Sequence, residues 1–406
     1  MKRIKTIILA QLALLGLLLC ISAPAWANLA ANTKITNTAL LSYYDGSATK
    51  TVPASVDVTV SLVQAPVLVT AGVAQTTSYS ISATLTDAFT VTAKANGPDT
   101  YNYCMTITDS TNTGNPGLGV TPTCASPLTV ALGSTVTTLG STASTIVVPA
   151  DGAADSSING IQAGDKIVID STGEEATVLS VTDNASGTST IVLTAGLVGA
   201  VPGVGIQIGE RKTVNSTVTP GTIIASGTDV TVSDNCTVTS TTKPSVTATS
   251  PTSVLNTFAS GKATLTKYVR NISNPSGTGS PYPYAGNNYF PTDVTANPGD
   301  TLEYILVATN TDTDPLAIVS QAFITDPVPT TYVNFVSNAY GSAEIRYVAN
   351  AASPSPVDLT QEIDGDQGQY SGSTLTVYIG TGATSSSGGT LGPNITALVL
   401  FQVTVK

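Results

Sequence analysis

Two consecutive runs of alternating apolar and polar residues near the N-terminus constrain this chain more than any other feature. They cover about residues 35–44 and 52–62, and alternation of this kind is typical of β-strands with one buried face. Asp45-Gly46 between them predicts a tight hairpin turn. A lone two-stranded hairpin is only marginally stable in water, so we expect this one to join a larger sheet. Its apolar face comprises Ile35, Ala39, Leu41, Tyr43, Val52, Ala54, Val56, Val58, Val60 and Leu62.

The composition of the remaining chain also predicts β-structure. Thr, Ser, Val, Ala and Gly dominate, and only 10% of the 406 residues are charged, which favours solvated antiparallel sheets over helices. Hydrophobic residues make up 41%, and their repeated alternation with polar residues argues against disorder. We therefore expect an all-β protein of two or three domains.

The first 27 residues have the pattern of a secretory signal peptide. Three cations precede an apolar run at 7–21, and Ala25-Trp26-Ala27 predicts cleavage before Asn28. We expect an extracellular or cell-surface protein without a membrane anchor, because no second run of membrane-spanning length and no sorting tail follows. Removing the three cations changes the net charge from −11 to −14, and this acidity argues against nucleic acid as a partner.

Strand and turn patterns divide the chain into segments. A run of five short strands separated by tight turns predicts a small β-barrel-like insert, and a Thr-, Ser- and Pro-rich stretch predicts a linker. The predicted segments are a signal peptide at 1–27, the hairpin at 28–64, a first β-sandwich at 65–240 with its insert at about 144–210, the linker at 241–262 and a last domain at 263–406.

Three cysteines remain after cleavage, namely Cys104, Cys124 and Cys236. Export makes one disulfide plausible, and the pair Cys104–Cys124 closes the shortest loop. A pair that includes Cys236 stays open as an alternative. The odd thiol is either buried and inert or an intermolecular link.

The side chain that most often serves as a catalytic acid or base is absent from this sequence. It contains no histidine, which removes Ser-His-Asp and Cys-His catalysis and the commonest zinc ligand. No nucleophile elbow or phosphate-binding loop is present either, so we expect a protein that is not an enzyme and has no cofactor. Alternate acids at Asp312 and Asp314, and at Asp364 and Asp366, favour solvated turns, with a calcium site as the alternative.

Five segments of the last domain stand in a combination that is fairly specific. They are KYV at 267–269, NPGDTLEY at 297–304, ATN at 308–310, ITDPVP at 324–329 and VNFV at 333–336. The domain thereby resembles the repeat family called domain of unknown function eleven, an immunoglobulin-like sandwich of prokaryotic surface proteins. A weaker echo at 88–102 suggests a diverged relative in the first domain. The resemblance implies two immunoglobulin-like antiparallel sandwiches.

The same resemblance gives the N-terminal hairpin a candidate position. In the family, a strand like residues 395–405 is followed by a segment of the type TxITNTAxVxY and a last strand xVxVTV, whereas this sequence ends at Lys406. The similar segments, ITNTA at 35–39 and VDVTV at 56–60, stand at the other end. We therefore expect the hairpin to fill an open edge beside the last strand, whose residues on one face are Ile395, Ala397, Val399, Phe401, Val403 and Val405.

A sandwich that lacks two strands leaves unpaired backbone groups and an open apolar cleft. If the hairpin of the next molecule fills this cleft, as in donor-strand complementation, the contact is head-to-tail and produces a homopolymer. The large first domain lies between hairpin and cleft, so we predict the subunit of an extracellular filament. The alternative is a secreted or surface-associated adhesion module, with the hairpin packed on its own chain, whose loops bind carbohydrate or another surface partner.

Overall fold

The computed structural model describes residues 29–80, 82–109, 128–153, 155–183, 187–220 and 227–406. Within these ranges the chain forms thirty strands and no helix, so the all-β prediction is confirmed. It follows that none of the described segments is an apolar helix that could cross a bilayer.

The N-terminal hairpin consists of β1 (Lys34–Tyr44) and β2 (Thr49–Thr59). In the antiparallel register Ile35 lies opposite Val58 and Leu41 opposite Val52, which places the predicted apolar residues on one face. The Asp45 carboxylate accepts the N–H groups of Ser47 (2.9 Å) and Ala48 (2.8 Å) and so holds the turn. Among the described strands, β1 and β2 pair only with each other.

Sixteen strands form the first domain. They are β3 (Leu68–Thr70), β4 (Thr76–Ser78), β5 (Leu85–Thr92), β6 (Asp99–Asp109), β7 (Leu128–Leu132), β8 (Ser134–Val136), β9 (Thr145–Pro149), β10 (Ser157–Ile158), β11 (Ile161–Gln162), β12 (Lys166–Ile169), β13 (Glu175–Asp183), β14 (Thr188–Leu193), β15 (Gln207–Val218), β16 (Val230–Ser240), β17 (Thr247–Thr249) and β18 (Val254–Ala259).

These strands build two large sheets. One has the order β3-β5-β15-β12-β13-β14-β9, with β8 also paired to β15, and the other has the order β4-β18-β16-β6-β7, with β17 also paired to β16. Strands β9 to β14 surround a separate apolar core that includes Ile146, Ile167 and Ile191. Strand β15 joins the two parts of the domain, because its start pairs with β12 and its end with β5.

The predicted linker at 241–262 is wrong. Strands β17 and β18 lie inside this range and both pair with β16, and Phe258 is fully buried. Thr and Ser are common both in solvated links and in strands with one exposed face, so composition alone did not separate the two cases. The sheet of the first domain therefore continues to Ala259, four residues before the next strand.

Twelve strands form the C-terminal domain. They are β19 (Ala263–Asn271), β20 (Tyr282–Tyr284), β21 (Asn287–Tyr289), β22 (Thr301–Asn310), β23 (Val319–Pro327), β24 (Val333–Phe335), β25 (Ile345–Val348), β26 (Pro356–Leu359), β27 (Gly368–Ser371), β28 (Thr374–Tyr378), β29 (Gly389–Leu391) and β30 (Thr396–Val405).

The C-terminal strands form two sheets around one core. The first sheet has the order β19-β22-β30-β25-β26, with β24 also paired to β30, and the second has the order β27-β28-β23-β29. The core between them includes Leu306, Val399 and Val403 from the first sheet and Leu375 and Val377 from the second. We call the side of the first sheet that faces this core its inner face.

A tyrosine-rich loop at residues 282–289 packs on the outer face of the first sheet. Strands β20 and β21 form a small hairpin there, and Tyr289 is buried beside Ile305 and Leu398. The buried Glu303 carboxylate accepts hydrogen bonds from the hydroxyls of Tyr289 (2.7 Å) and Tyr340 (2.9 Å). The tyrosines of this loop thus contribute to the packing of their own domain.

Cys104 is disulfide-bonded, whereas Cys236 is a free, buried thiol. Burial raises the pKa of Cys236 to about 12, so the thiol stays protonated and unreactive at neutral pH. The predicted partner of Cys104, Cys124, lies outside the described residues, and that pairing stays a prediction.

Two carboxyl groups lie together in the interior of the first domain. Asp87 and Asp234 are 1% and 0% exposed, and Asn256 donates a hydrogen bond to Asp87 at 2.6 Å. Burial, with a further contribution from the charge of Asp87, raises the pKa of Asp234 to about 6. Because the pKa of Asp234 is higher in the folded than in the unfolded protein, the folded state is favoured when this carboxyl is protonated. That contribution to stability is complete at low pH and is lost as the pH rises through about 6.

We expect Asp234→Asn to stabilise the first domain at pH 8 by on the order of 2 kcal/mol, because it removes one of two buried charges. At pH 5 the gain is expected to be smaller, because Asp234 is then mostly protonated in the folded wild type. Calorimetric unfolding at both pH values measures this, with the exposed acid variant Glu362→Gln as control. An equal effect of Asp234→Asn at both pH values would contradict the prediction.

Candidate assembly interface

The last strand, β30, has no free edge. It pairs with β22 along Thr396–Thr404 on one side, and with β25 and β24 on the other. The expectation of an open edge beside it is therefore wrong, because chain order does not reveal which strands flank the last one. Of the residues predicted for that edge, Ala397, Val399, Phe401 and Val403 are buried in the core, and Ile395 and Val405 are partly buried.

An open edge does exist at β23. Strand β28 pairs with its second half, and β29 pairs with its first half. Ile379, just after β28, donates its N–H to Ala322, and Gly389 of β29 donates to Ile379. Strands β28 and β29 therefore lie in line along the same side of β23. The other side of β23 has no strand partner in the part of the chain that the structure describes.

The direction of the backbone groups of β23 follows from its ladder. The carbonyl of Ala322 accepts from Ile379, and the N–H of Val328 donates to Ser373. Hydrogen bonding alternates along an antiparallel strand, so the even-numbered residues bond towards β28. The N–H and C=O groups of Phe323 and Thr325 consequently point to the open side. A row of unpaired backbone N–H and C=O groups is a template for pairing with a further strand.

Beside this edge, the inner face of the first sheet is not fully covered. Leu265 of β19 lies opposite Ala308, and Lys267 lies opposite Leu306, in the ladder with β22. Ala308 and Leu306 belong to the core, so Leu265 and Lys267 also point to the inner face. Leu265 is nevertheless 56% exposed. The second sheet ends at β23 and leaves this part of the inner face open.

A charged pair crosses between the sheets at the open side. The Nζ atom of Lys267 lies 2.6 and 2.8 Å from the two carboxylate oxygens of Asp326 on β23. The same atom lies 4.5 Å from the ring centroid of Tyr304 and 5.7 Å from that of Phe401. The lysine thus covers aromatic rings with its aliphatic part and neutralises a buried carboxylate with its charge.

The opposite side of the sandwich is closed by stacked rings. Tyr304 stacks on Phe401, Phe401 on Phe335, and Phe335 on Tyr370 of the second sheet, with centroid distances of 5.2, 5.8 and 4.1 Å. The row of aromatic side chains therefore begins at the open side under Lys267. It ends at a direct contact between the sheets. The two sides of the domain differ in that one is packed with side chains and the other is not.

The N-terminal hairpin has the complementary feature, an apolar surface without a cover. Every residue of β1 and β2 is exposed, including Leu41 at 65% and Val56 at 60%. The opposite face is mostly polar, with an ion pair between Lys34 and Asp57 at 2.6 Å, although it also carries Leu40 and Tyr44. An exposed apolar ribbon of this size is unusual for a monomer.

The base of the hairpin is fixed to the first domain by Asn96. The Asn96 side chain donates to the carbonyls of Leu29 (2.9 Å) and Ser61 (3.2 Å) and accepts from the N–H of Val63 (2.7 Å). Its backbone carbonyl accepts from Ala31 at 2.8 Å. Val60 and Leu62, predicted as part of the apolar face, lie at this base and are half-buried.

The four aspartates proposed as weak calcium ligands cap their own turns. Asp312 accepts the N–H of Asp314 (3.0 Å), and Asp366 accepts the N–H of Thr360 (2.8 Å). Asp364 accepts the hydroxyl of Thr360 at 2.7 Å. In the described ranges, no group of three or more Cys, Asp or Glu residues is arranged to hold a metal. The turn interpretation explains these contacts, and the calcium site stays a prediction.

Comparison of the chain with models of protein families finds no match, and no curated protein matches it. The resemblance of the last domain to domain of unknown function eleven therefore stays a prediction.

Four residues of the candidate interface were not predicted from the sequence, namely Asn96, Leu265, Phe323 and Thr325. The sequence NGPD at 96–99 is a turn signal, and the ITDPVP segment, with Pro327 at its strand end, is the available signal for an edge strand.

We expect Asn96→Ala to loosen the attachment of the hairpin, because three hydrogen bonds of a buried side chain are lost, at a cost of about 1–3 kcal/mol. Hydrogen exchange should become faster for residues 29–33 and 60–63 and stay unchanged within the ladder of residues 34–59. Asn102→Ala in the nearby strand β6 is the matched control. Unchanged exchange at residues 60–63 would show that Asn96 does not hold the base.

Proposed function

We propose that this protein is the structural subunit of an extracellular filament or surface appendage, and that each subunit donates its N-terminal hairpin to the C-terminal domain of the next. One observation carries the proposal. The chain has an apolar hairpin face without a cover, and it also has a sheet that ends at β23 beside an uncovered inner face. The hairpin offers an additional strand and apolar side chains, and the C-terminal domain offers an unpaired edge and an uncovered apolar face.

The topology of the C-terminal domain supports the fit. In an immunoglobulin constant domain one sheet has the strand order ABED and the other CFG. In the immunoglobulin-like interpretation that we propose, β19, β22 and β30 correspond to A, B and E, and β23 corresponds to C. Two strands beside C, the F–G hairpin, are the ones without a counterpart among the described strands. A two-stranded hairpin with one apolar face matches this vacancy in strand number and in polarity.

The dimensions and energies are also favourable. Strands β1 and β2 have 11 residues each, and β23 has 9, so one hairpin strand is long enough to pair along the whole edge. Full burial of a Val, Leu or Ile side chain contributes about 1.5–3 kcal/mol. The apolar face offers several such side chains, including Ile35, Leu41, Val56 and Val58. Their burial would make the contact stable without any covalent link.

The attachment of the hairpin favours donation between molecules. Its base is fixed to the first domain at Asn96, and its strands pair with no other described strand. Donor and acceptor surfaces differ and both occur once in each subunit. Such a head-to-tail contact does not close on a pair of molecules, so it propagates into a homopolymer. The signal-peptide pattern at 1–27 supports assembly outside the cytoplasm.

The adhesion alternative receives less support. The tyrosine-rich loop at residues 282–289 is a candidate contact surface for an adhesion module, but Tyr289 is buried and its neighbours pack on the outer face of the first sheet. The adhesion alternative also requires the hairpin to pack on its own chain, whereas β1 and β2 pair with no other described strand. A structural role needs neither catalysis nor a cofactor, in keeping with a chain that has no histidine.

We expect Val56→Asp to abolish assembly, because it introduces a charge into the face that becomes buried. Thr51→Asp places the same charge on the polar face and should assemble as the wild type does. Electron microscopy and sedimentation of purified full-length protein measure both. Filaments that persist after deletion of residues 34–59 would refute hairpin donation.

Mixing tests the head-to-tail arrangement. A Val56→Asp subunit keeps an intact C-terminal domain, so it should accept a hairpin but not donate one. Substoichiometric amounts should therefore shorten wild-type filaments in proportion to the dose. Thr51→Asp should be incorporated without shortening them. Equal filament lengths in both mixtures would argue against this arrangement.

A further inference from the structure

We infer that β1, and not β2, pairs with β23 of the neighbouring subunit, and that Pro53 makes β2 the outer edge of the completed sheet. This inference rests on the proposed function and specifies its interface. It assigns the partner as a second copy of this chain in one defined orientation.

The hydrogen-bonding pattern of the hairpin decides which backbone groups remain available. At the turn, Asp45 donates its N–H to Ala48, and at the base Val60 donates to Thr33. Between these points the register pairs Leu41 with Val52. Because bonded and non-bonded pairs alternate, the odd residues of β1 and the even residues of β2 bond to each other. The even residues of β1 and the odd residues of β2 therefore point outwards.

The two outward rows differ in one residue. Along β1 the row is Thr36, Thr38, Leu40 and Ser42, and every member has an N–H group to donate. Along β2 the corresponding row contains Pro53, directly opposite Leu40 in the register. Proline has no N–H group, and its ring obstructs a strand approaching from that side. An interrupted row at the centre of β2 cannot form a complete ladder, whereas the row of β1 can.

This assignment fixes the orientation of the contact. The strand ladders of the C-terminal domain, among the described residues, are antiparallel, so we assign an antiparallel β1–β23 pair. The Lys34 end of β1 then lies beside Pro327 at the end of β23. The base of the donor hairpin consequently meets the end of the acceptor that carries Tyr332, which is 71% exposed. The turn at Asp45 meets the other end.

The position of Pro53 also limits what happens after insertion. Once β1 is paired, β2 is the last strand of the sheet. Its outward row would attract a further strand from any nearby molecule, and a proline on an edge strand is a known protection against such pairing. The filament can then grow along its long axis, while the addition of strands at the side of the filament is suppressed.

A pair of proline variants tests the assignment. Thr38 and Ser55 are direct cross-strand neighbours whose N–H groups both point outwards, and their hydroxyls share one hydrogen bond of 2.8 Å. Each proline variant therefore loses the same contacts within the hairpin. We expect Ser55→Pro to assemble as the wild type does. Thr38→Pro should raise the critical concentration at least about tenfold, because a buried ladder bond is lost and the proline ring blocks the approach.

The outcomes separate the inference from the proposed function. Loss of assembly in Ser55→Pro, alone or together with Thr38→Pro, would overturn the assignment of β1 while leaving hairpin donation in place. Normal assembly of both variants would show that the hairpin edges are not used, and would contradict donation itself. A third variant, Pro53→Thr, restores the missing donor. We expect it to form filaments that associate laterally into sheets or bundles, and unchanged single filaments would overturn the protective role of Pro53.

Discussion

Every sheet edge leaves half of its backbone hydrogen-bonding groups directed at solvent, and this constraint underlies the architecture described here. In the C-terminal domain the constraint is concentrated at β23, where the N–H and C=O groups of Phe323 and Thr325 have no strand partner among the described residues. The hairpin formed by β1 and β2 carries the same liability on both of its edges. A chain with two such surfaces gains most when one of them pairs with the other.

The pair of Lys267 and Asp326 gives the open side a polar character in the isolated subunit. The ammonium group lies over Tyr304 and against the Asp326 carboxylate, so the aromatic row is covered by a flexible, charged side chain. Inward-pointing charges are one of the ways in which natural sheets discourage non-specific pairing at an edge. In the proposed assembly, this charged pair would disfavour general apolar partners at the edge of β23.

Local patterns predicted much of the fold, because strict alternation over 5–10 residues leaves few alternatives to a strand. The hairpin, its turn at Asp45 and its apolar face were all predicted from residues 35–62, and β30 was predicted within one residue. The predictions that were wrong depended on strand pairing between residues far apart in the sequence. Residues 254–259 were assigned to a linker because their partner, β16, is not visible in local composition. The open edge was placed at β30 and not at β23, because strand order in a sheet is a property of the whole domain.

The attachment at Asn96 has a mechanical consequence. In a filament built by hairpin donation, tension between subunits passes along the strand axis, so the hydrogen bonds between β1 and β23 are loaded together in shear and not one after another. The load then reaches the first domain through the short segments at residues 29–33 and 60–63, which the Asn96 side chain holds at Leu29, Ser61 and Val63. In such a filament the Asn96 side chain would therefore lie on the path along which tension passes from one subunit to the next.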